Sequence, residues 1–344
     1  MDEHDQRTSS RESSADSSVE GSAEGSAGGS AGGSGTWAVV VNWNGGLEQN
    51  LACLRSLEAQ GLQAGRIVFV DNASSDGSRE EVAAAMAGLV HLDNGDNLGF
   101  GEAANQGAKL ALDKGAEAVF FVNNDLRFDA GASCLAELEE TLSSGPRVGM
   151  VGPRILFDDD TGRVWCAGGR LDFRQNLSTL LGHKQPDGPR WRESGPMDYI
   201  PGCALLVSRE CLQDVGFFDA AFFAYMEDVD LGLRARRRNW SVLLRGDLCA
   251  LHAPSSSTGG GYGARRKWMQ GVNSIRFLVL HGRPTHWLRF LVFDVLTLPG
   301  ALLLRGCRGE GAGVLAKAKG ILDGARGRRV TAEALEPGAS RLWP

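Results

Sequence analysis

The sequence predicts an α/β fold with a mixed sheet flanked by helices, and three observations carry that expectation. From Thr36 to about residue 151, short apolar runs alternate with helix-period patterns, the rhythm of βαβ units and a largely parallel sheet. Several of those runs end on asparagine or aspartate. Beyond residue 151 the rhythm breaks into loop-rich chain that closes on further apolar runs, which predicts a mixed-sheet half rather than a second independent domain.

Taken in order, TWAVVVNW (36–43), RIVFVD (66–71), LVHLD (89–93) and EAVFFVN (117–123) read as strands. Leu47, Leu51, Leu54 and Leu57 recur at helical spacing between the first two. Ser75-Asp76 can cap the next helix, and NLGFGEAANQGAKLALDKG (97–115) turns into another. Later, YIPGCALLVS (199–208) precedes a helix, the acids of AFFAYMEDVDLGLRARRR (221–238) fall in a first helical turn, and WSVLLRG and LCALH read as two closing strands.

The flanks differ in composition. Residues 1–35 are rich in Ser, Gly, Ala and Glu, hold seven acidic and two basic residues, and read as a disordered leader. From Gly261 onward the chain holds fourteen basic residues against five acidic, although the net charge of the whole is −6. That basic end predicts an anionic surface as neighbour, while the acidic balance gives no reason to expect a nucleic-acid partner. The apolar stretch Trp287–Leu304 is interrupted by Arg289, Asp294 and Pro299-Gly300. It therefore reads as an interfacial helix at a membrane surface, with packing on the catalytic domain or a partner copy, and true insertion, as the alternatives. Seven scattered cysteines without a C-x-x-C pair predict free thiols. With a polar N-terminus, they make the cytoplasm the expected address. The expected organisation is a leader (1–35), a catalytic domain (36–258, halves 36–151 and 152–258), a helical region (259–330) and a tail (331–344).

In an open α/β sheet, ligands bind outside the carboxyl ends of the strands. Asn42-Trp43-Asn44, Asp71-Asn72 and Asn123-Asn124-Asp125 all follow apolar strands and would point into one crevice. Each alone could be a turn or cap. Neither a G-x-G-x-x-G fingerprint nor a P-loop is present, which disfavours a nicotinamide enzyme and a nucleotidyltransferase. A nucleotide here would be held by amides, carboxylates and a divalent metal, Mg²⁺ or Mn²⁺. Asp125 is the leading metal ligand, and His252 could add an imidazole. Glu227-Asp228-Val229-Asp230 places acids at a helix start behind an apolar run, where one could act as general base. Asp230 and Arg234 could instead pair on a solvated face.

The ordered set VVVNWNG, VDNASSDGS, DNLGFGEAANQG, FVNND, GCALLVSRECLQDVGFFDAAFFAYMEDVDLGLRARRRNW and LHAPSSS resembles family 2 glycosyltransferases of the GT-A fold, the rhamnosyltransferase-like branch most nearly, over roughly residues 37–258. The resemblance implies that Asp71 hydrogen-bonds the donor base, that Asn42, Asn44 and Asn123 line the nucleotide pocket, and that Asn97 and Asn105 buttress it. It implies Gly202, Cys203 and Glu227 at the donor sugar, Asp125 and His252 at the metal, and Asp228 as catalytic base. One departure stands out: Asn123 replaces the first acid of the family's D-x-D-like element. Implied partners are a dTDP- or UDP-linked sugar and a glycan or lipid-linked acceptor, in an inverting, metal-dependent transfer with rhamnose as first choice. Trp165, Trp191 and Tyr199 could stack on an acceptor sugar. The alternative is a non-catalytic sugar-nucleotide or glycan-binding module on the same fold.

Overall fold

A computed structural model describes residues 35–253, 263–336 and 338–343. The expected leader falls outside the described residues except for Gly35, as does the PSSS segment after Ala253.

The first half is βαβ in order: β1 (Thr36–Asn42), α1 (Leu47–Ala59), β2 (Ile67–Asp71), α2 (Ser78–Ala85), β3 (Val90–Asp93), α3 (Gly99–Asp113) and β4 (Ala118–Asn123). β1 lies between β2 and β4, parallel to both, and β3 extends the sheet beyond β2. Period-2 alternation divides the strand side chains between two cores. Ala38, Val40, Ile67, Phe69, Phe120 and Val122 face one, with α1; Val39, Val68, Val70, Val119 and Phe121 face the other, with α3. Burial on both faces explains why these strands read as continuous apolar runs. α3 lies close to the sheet because Gly107 has no side chain: a Cβ there would sit 2.5 Å from Val39.

The second half supplies β5 (Leu126–Arg127), α4 (Cys134–Ser143), β6 (Val148–Phe157), β7 (Val164–Cys166), β8 (Gly169–Leu171), β9 (Ser178–Leu180), β10 (Gly195–Pro196), β11 (Ala204–Ser208), α5 (Arg209–Val215), α6 (Glu227–Arg237) and β12 (Ser241–His252). β11 inserts antiparallel between β4 and β6, giving the order β10-β12-β6-β11-β4-β1-β2-β3. The two expected closing strands are one: β12 pairs parallel with β6 throughout, and an irregularity between Arg245 and Cys249 produces the apparent break.

Next come α7 (Ala264–His281), α8 (Pro284–Phe290), a π-helical turn (Leu291–Val295), α9 (Leu298–Gly306) and α10 (Gly311–Ala325). α7 and α10 cross with their backbones nearly touching, since a Cβ on Gly320 would lie 2.2 Å from the Trp268 carbonyl. In the segment expected to be interfacial, Asp294 turns inward while Arg289 stays exposed. Asp294 is buried in an ion pair with Lys317 and accepts from the Asn176 N–H at 2.9 Å, and Arg289 donates to the Asp172 carbonyl. Its apolar side chains point out, with Leu288, Leu296, Leu303 and Leu304 each at least 60% exposed. Among the described residues, Pro284–Gly306 is the one helix long and apolar enough to cross a membrane, with mean hydropathy 1.7.

Candidate active site

Register alone brings the polar strand ends together: Asn42 is opposite Asp71, and Val41 opposite Asn123. Asn42 is fully buried and acts as a hub. Its Nδ2 lies 2.8–3.0 Å from Asp71 Oδ1, Ser74 Oγ and Ser78 Oγ. Its Oδ1 accepts from the Gly45 N–H and from the amides of Asn50 and Asn124. Asn42 thus shapes the pocket wall from behind, with its own polar atoms already engaged. Asp71 Oδ2 accepts from the Ser74 N–H at 3.0 Å, which fixes the carboxylate's orientation. Asn44, exposed and at φ 53°, accepts from the Ser75 N–H and ties the β1 loop to the β2 loop. Asn97 accepts from Asn72 and from the Gly99 N–H at the start of α3. Asn105 lies deeper: both ends of its amide pair with the Phe218 backbone, at 2.9 and 3.0 Å.

A second cluster forms where β4 runs into β5 against β12. His252 is buried, stacks on Trp165 with ring centroids 4.5 Å apart, and presents Nε2 3.4 Å from Asp125 Oδ1. Its Nδ1 is 2.8 Å from the Ala253 carbonyl. The proton is therefore assigned to Nδ1, and the Nε2 lone pair faces the carboxylate. Asp125 Oδ1 is buried and receives no hydrogen bond. Two lone pairs converging on one gap suit a cation. Burial raises the Asp125 carboxyl above the usual aspartate range, opposed by hydrogen bonds that include the Asn123 amide. No cluster of three or more protein ligands occurs among the described residues. The pair therefore fits a divalent ion whose remaining positions are filled by ligand oxygens and water. Arg265 and Arg266, at the start of α7, each have a buried Nε without a hydrogen-bond partner. Arg266 covers the Tyr225 ring and lies near His183, itself packed edge-on to Trp165.

The third cluster is built from a strained turn. Phe223, Tyr225 and Met226 all have positive φ immediately before α6, conformations that persist only when the surroundings enforce them. Asn273 of α7, fully buried, supplies that enforcement: its Nδ2 lies 2.8–2.9 Å from the carbonyls of Phe222, Ala224 and Tyr225. Glu227 and Asp228 follow directly. Asp228 Oδ2 accepts from the Gly202 N–H at 3.2 Å and Oδ1 from the Val229 N–H at 2.8 Å. Burial raises the Asp228 carboxyl, with the Gly202 and Val229 N–H groups pulling the other way. Glu227 is pushed up further, by burial and then by the charge of Asp228, and its Oε2 has no partner. The more strongly raised Glu227 holds its proton in preference to Asp228, an arrangement that suits a division of labour between the two acids. Cys203, buried beside them, has its thiol pushed well above its ordinary value by burial.

Two expectations need correction. Asp230 does pair with Arg234 at 2.7 Å, yet not on a solvated face: it is 2% exposed and also bound by His281 Nε2 at 2.6 Å. Tyr199 is buried core, packed where Gly169 and Gly232 leave room, and is closed to a sugar. The sequence reading passed over Asn50 and Asn273. The available signal was a polar residue at a helical position whose apolar neighbours face inward.

Comparisons with known proteins agree with this architecture. The profile of "Glycosyl transferase family 2" matches residues 38–215, and that of "Glycosyl transferase family group 2" matches 130–308. The chain is 29% identical over 258 residues to N-acetylglucosaminyl-diphospho-decaprenol L-rhamnosyltransferase of Mycobacterium tuberculosis, covering 70% of this chain and 81% of that protein. It is 26% identical to the dTDP-rhamnosyl transferase RfbF of Shigella flexneri, over 63% of this chain and 68% of the relative. Among solved structures it resembles the mannosyltransferase PcManGT of Pyrobaculum calidifontis in complex with GDP-Man and Mn²⁺ (TM-score 0.54, 15% identity, 85% of this chain and 87% of that one). It also resembles GalNAc-T7 with UDP, GalNAc and Mn²⁺ (TM-score 0.53, 15% identity), covering 71% of this chain and 47% of that one. The chain belongs to glycosyl transferase family 2 and is a glycosyltransferase with the GT-A fold.

Proposed function

We infer that this glycosyltransferase transfers a deoxyhexose, rhamnose by preference, with inversion from a dTDP-linked donor onto a lipid-linked glycan at the inner face of a membrane. The observation that carries the inverting assignment is the Asp228 carboxylate at the start of α6, oriented by the Gly202 and Val229 N–H groups and raised by burial beside the more strongly raised Glu227. The donor and acceptor classes rest on what the names of the relatives from M. tuberculosis and S. flexneri say of those proteins.

In this reading Asp71, Asn44 and Asn97 receive the nucleoside at the strand ends. Asp125 and His252 would hold a divalent cation, which when bound offsets charge developing on the leaving diphosphate. Arg266, close to His183 and so to Trp165, would face the same anion. Asp228 takes the proton from the acceptor hydroxyl as that oxygen attacks the anomeric carbon and the bond to the diphosphate breaks. One displacement inverts the centre without a covalent intermediate. The exposed apolar side of α8 and α9, with Asp294 between them turned inward onto Lys317, supports peripheral contact with the membrane. The test is a panel of nucleotide-sugars with and without Mg²⁺ or Mn²⁺, using a lipid-diphosphate-linked N-acetylglucosamine acceptor and reading nucleotide release and anomeric configuration. Cation-dependent release with dTDP-rhamnose and an inverted product is expected. A retained configuration, or full activity in chelator, would overturn the corresponding part.

A further inference from the structure

A second cavity lies away from the strand ends, between α7 and the turn that follows α10. Its volume is about 220 Å³. Three arginines line it, Arg276, Arg328 and Arg329, together with Val272, Val279 and Leu280. The arginines differ in how far they are satisfied. Arg276 pairs with Asp219 and lies over the Phe222 ring, yet its Nε is buried without a partner. Arg328 makes one long contact with Asp323, at 3.5 Å, and is 64% exposed. Arg329 is exposed and forms no ion pair among the described residues. Among the described residues no carboxylate lines the cavity, and its three arginines carry more charge than Asp219 and Asp323, the partners of two of them, neutralise. Its lip is apolar, with Val279 70% exposed and Leu280 46%.

A cationic cavity with an apolar lip matches an amphiphile that carries an anion at one end. Guanidinium groups recognise phosphate oxygens in paired hydrogen bonds, and alkyl chains cover exposed valine and leucine. A free phosphate would use the arginines and leave the lip bare, so the lip selects the lipid. We propose that this cavity binds the phosphate headgroup of an anionic membrane lipid, its chains lying along Val279 and Leu280. The site rests on the membrane reading above but extends it, because it predicts headgroup preference where the α8–α9 face predicts only adhesion.

The experiment uses the full chain, with phosphatidylglycerol-containing and pure phosphatidylcholine vesicles in a co-sedimentation assay. A second arm titrates monomeric dihexanoyl-phosphatidylglycerol by calorimetry. Arg328→Gln/Arg329→Gln tests the cavity, and Leu288→Ser/Leu303→Ser tests the apolar face. The wild type is expected to prefer phosphatidylglycerol, the arginine variant to lose roughly fivefold in affinity per charge, and the leucine variant to bind both vesicles poorly while keeping the short-chain lipid. If vesicles fail but the short-chain lipid binds the wild type and not the arginine variant, the membrane reading falls and the cavity assignment stands. Short-chain binding that is absent, unaffected by the arginine changes, or matched by inorganic phosphate overturns the proposal.

Discussion

The division of roles between Glu227 and Asp228 makes separate predictions for catalysis and for stability. As the proposed base, Asp228 would act only when ionised, and its carboxyl is held above the ordinary aspartate range by burial. The acid limb of kcat/KM should therefore lie above the ordinary aspartate pKa of about 3.9. Asp228→Asn should lower turnover by at least about 10²-fold while nucleotide affinity, read by calorimetry, changes little. Glu227 is raised further, by burial first, so its contribution to stability is complete below the ordinary glutamate range and is lost as pH rises toward its folded value. Glu227→Gln should remove that loss: thermal melts of the variant should hold their midpoint as pH rises above the ordinary glutamate range, where the wild type declines, and an equal decline in both would refute the assignment. At the second cluster, Asp125→Asn leaves His252 Nε2 facing a neutral amide. The Mn²⁺ concentration giving half-maximal activity should rise steeply, with nucleoside binding at Asp71 spared.

At the scale of elements, α7 grips the segment around the acids at three points. Arg276 pairs with Asp219, Asn273 gathers three carbonyls, and His281 binds Asp230. Asn273→Ala should let the positive-φ turn at 223–226 relax. A displacement of about 1 Å at Asp228 can cost about 10²-fold in kcat, and KM for the donor should move much less. Purely structural damage would instead reduce the active fraction at unchanged kcat per active site, which active-site titration distinguishes. None of these grips was legible in the sequence, because the partners are far apart in the chain and carry no common motif. His281 is 51 residues from Asp230, and Asn124 is 82 residues from the Asn42 it bonds. What the sequence did carry was local. Alternation and apolar runs gave β1 to β4, and an asparagine or aspartate after three of them marked the crevice, because register in a parallel sheet aligns strand ends automatically. β12 was misread as two strands because its irregular stretch after Arg245 looks like a turn.

For the whole molecule, the C-terminal helices divide their surface between protein and exterior, and the Asp294–Lys317 pair fixes which side is which. Both side chains are at most 6% exposed. Asp294→Ala would strand the Lys317 ammonium, at a cost of about 3–5 kcal/mol, seen as a fall in the denaturation midpoint. Asp294→Leu with Lys317→Met should recover most of it. Of the two charges that interrupt the apolar stretch, the packing of α10 turns Asp294 inward and leaves Arg289 exposed. The exposed apolar side chains and the basic C-terminal region are then consistent with one anionic, apolar neighbour. The proposed transfer turns on the base at the start of α6. Its most direct test is product analysis by the wild type and Asp228→Asn with dTDP-rhamnose, Mn²⁺ and a lipid-diphosphate-linked acceptor. The account predicts an inverted glycoside from the wild type and none from a variant that still binds nucleotide. Near-normal turnover by Asp228→Asn would contradict it.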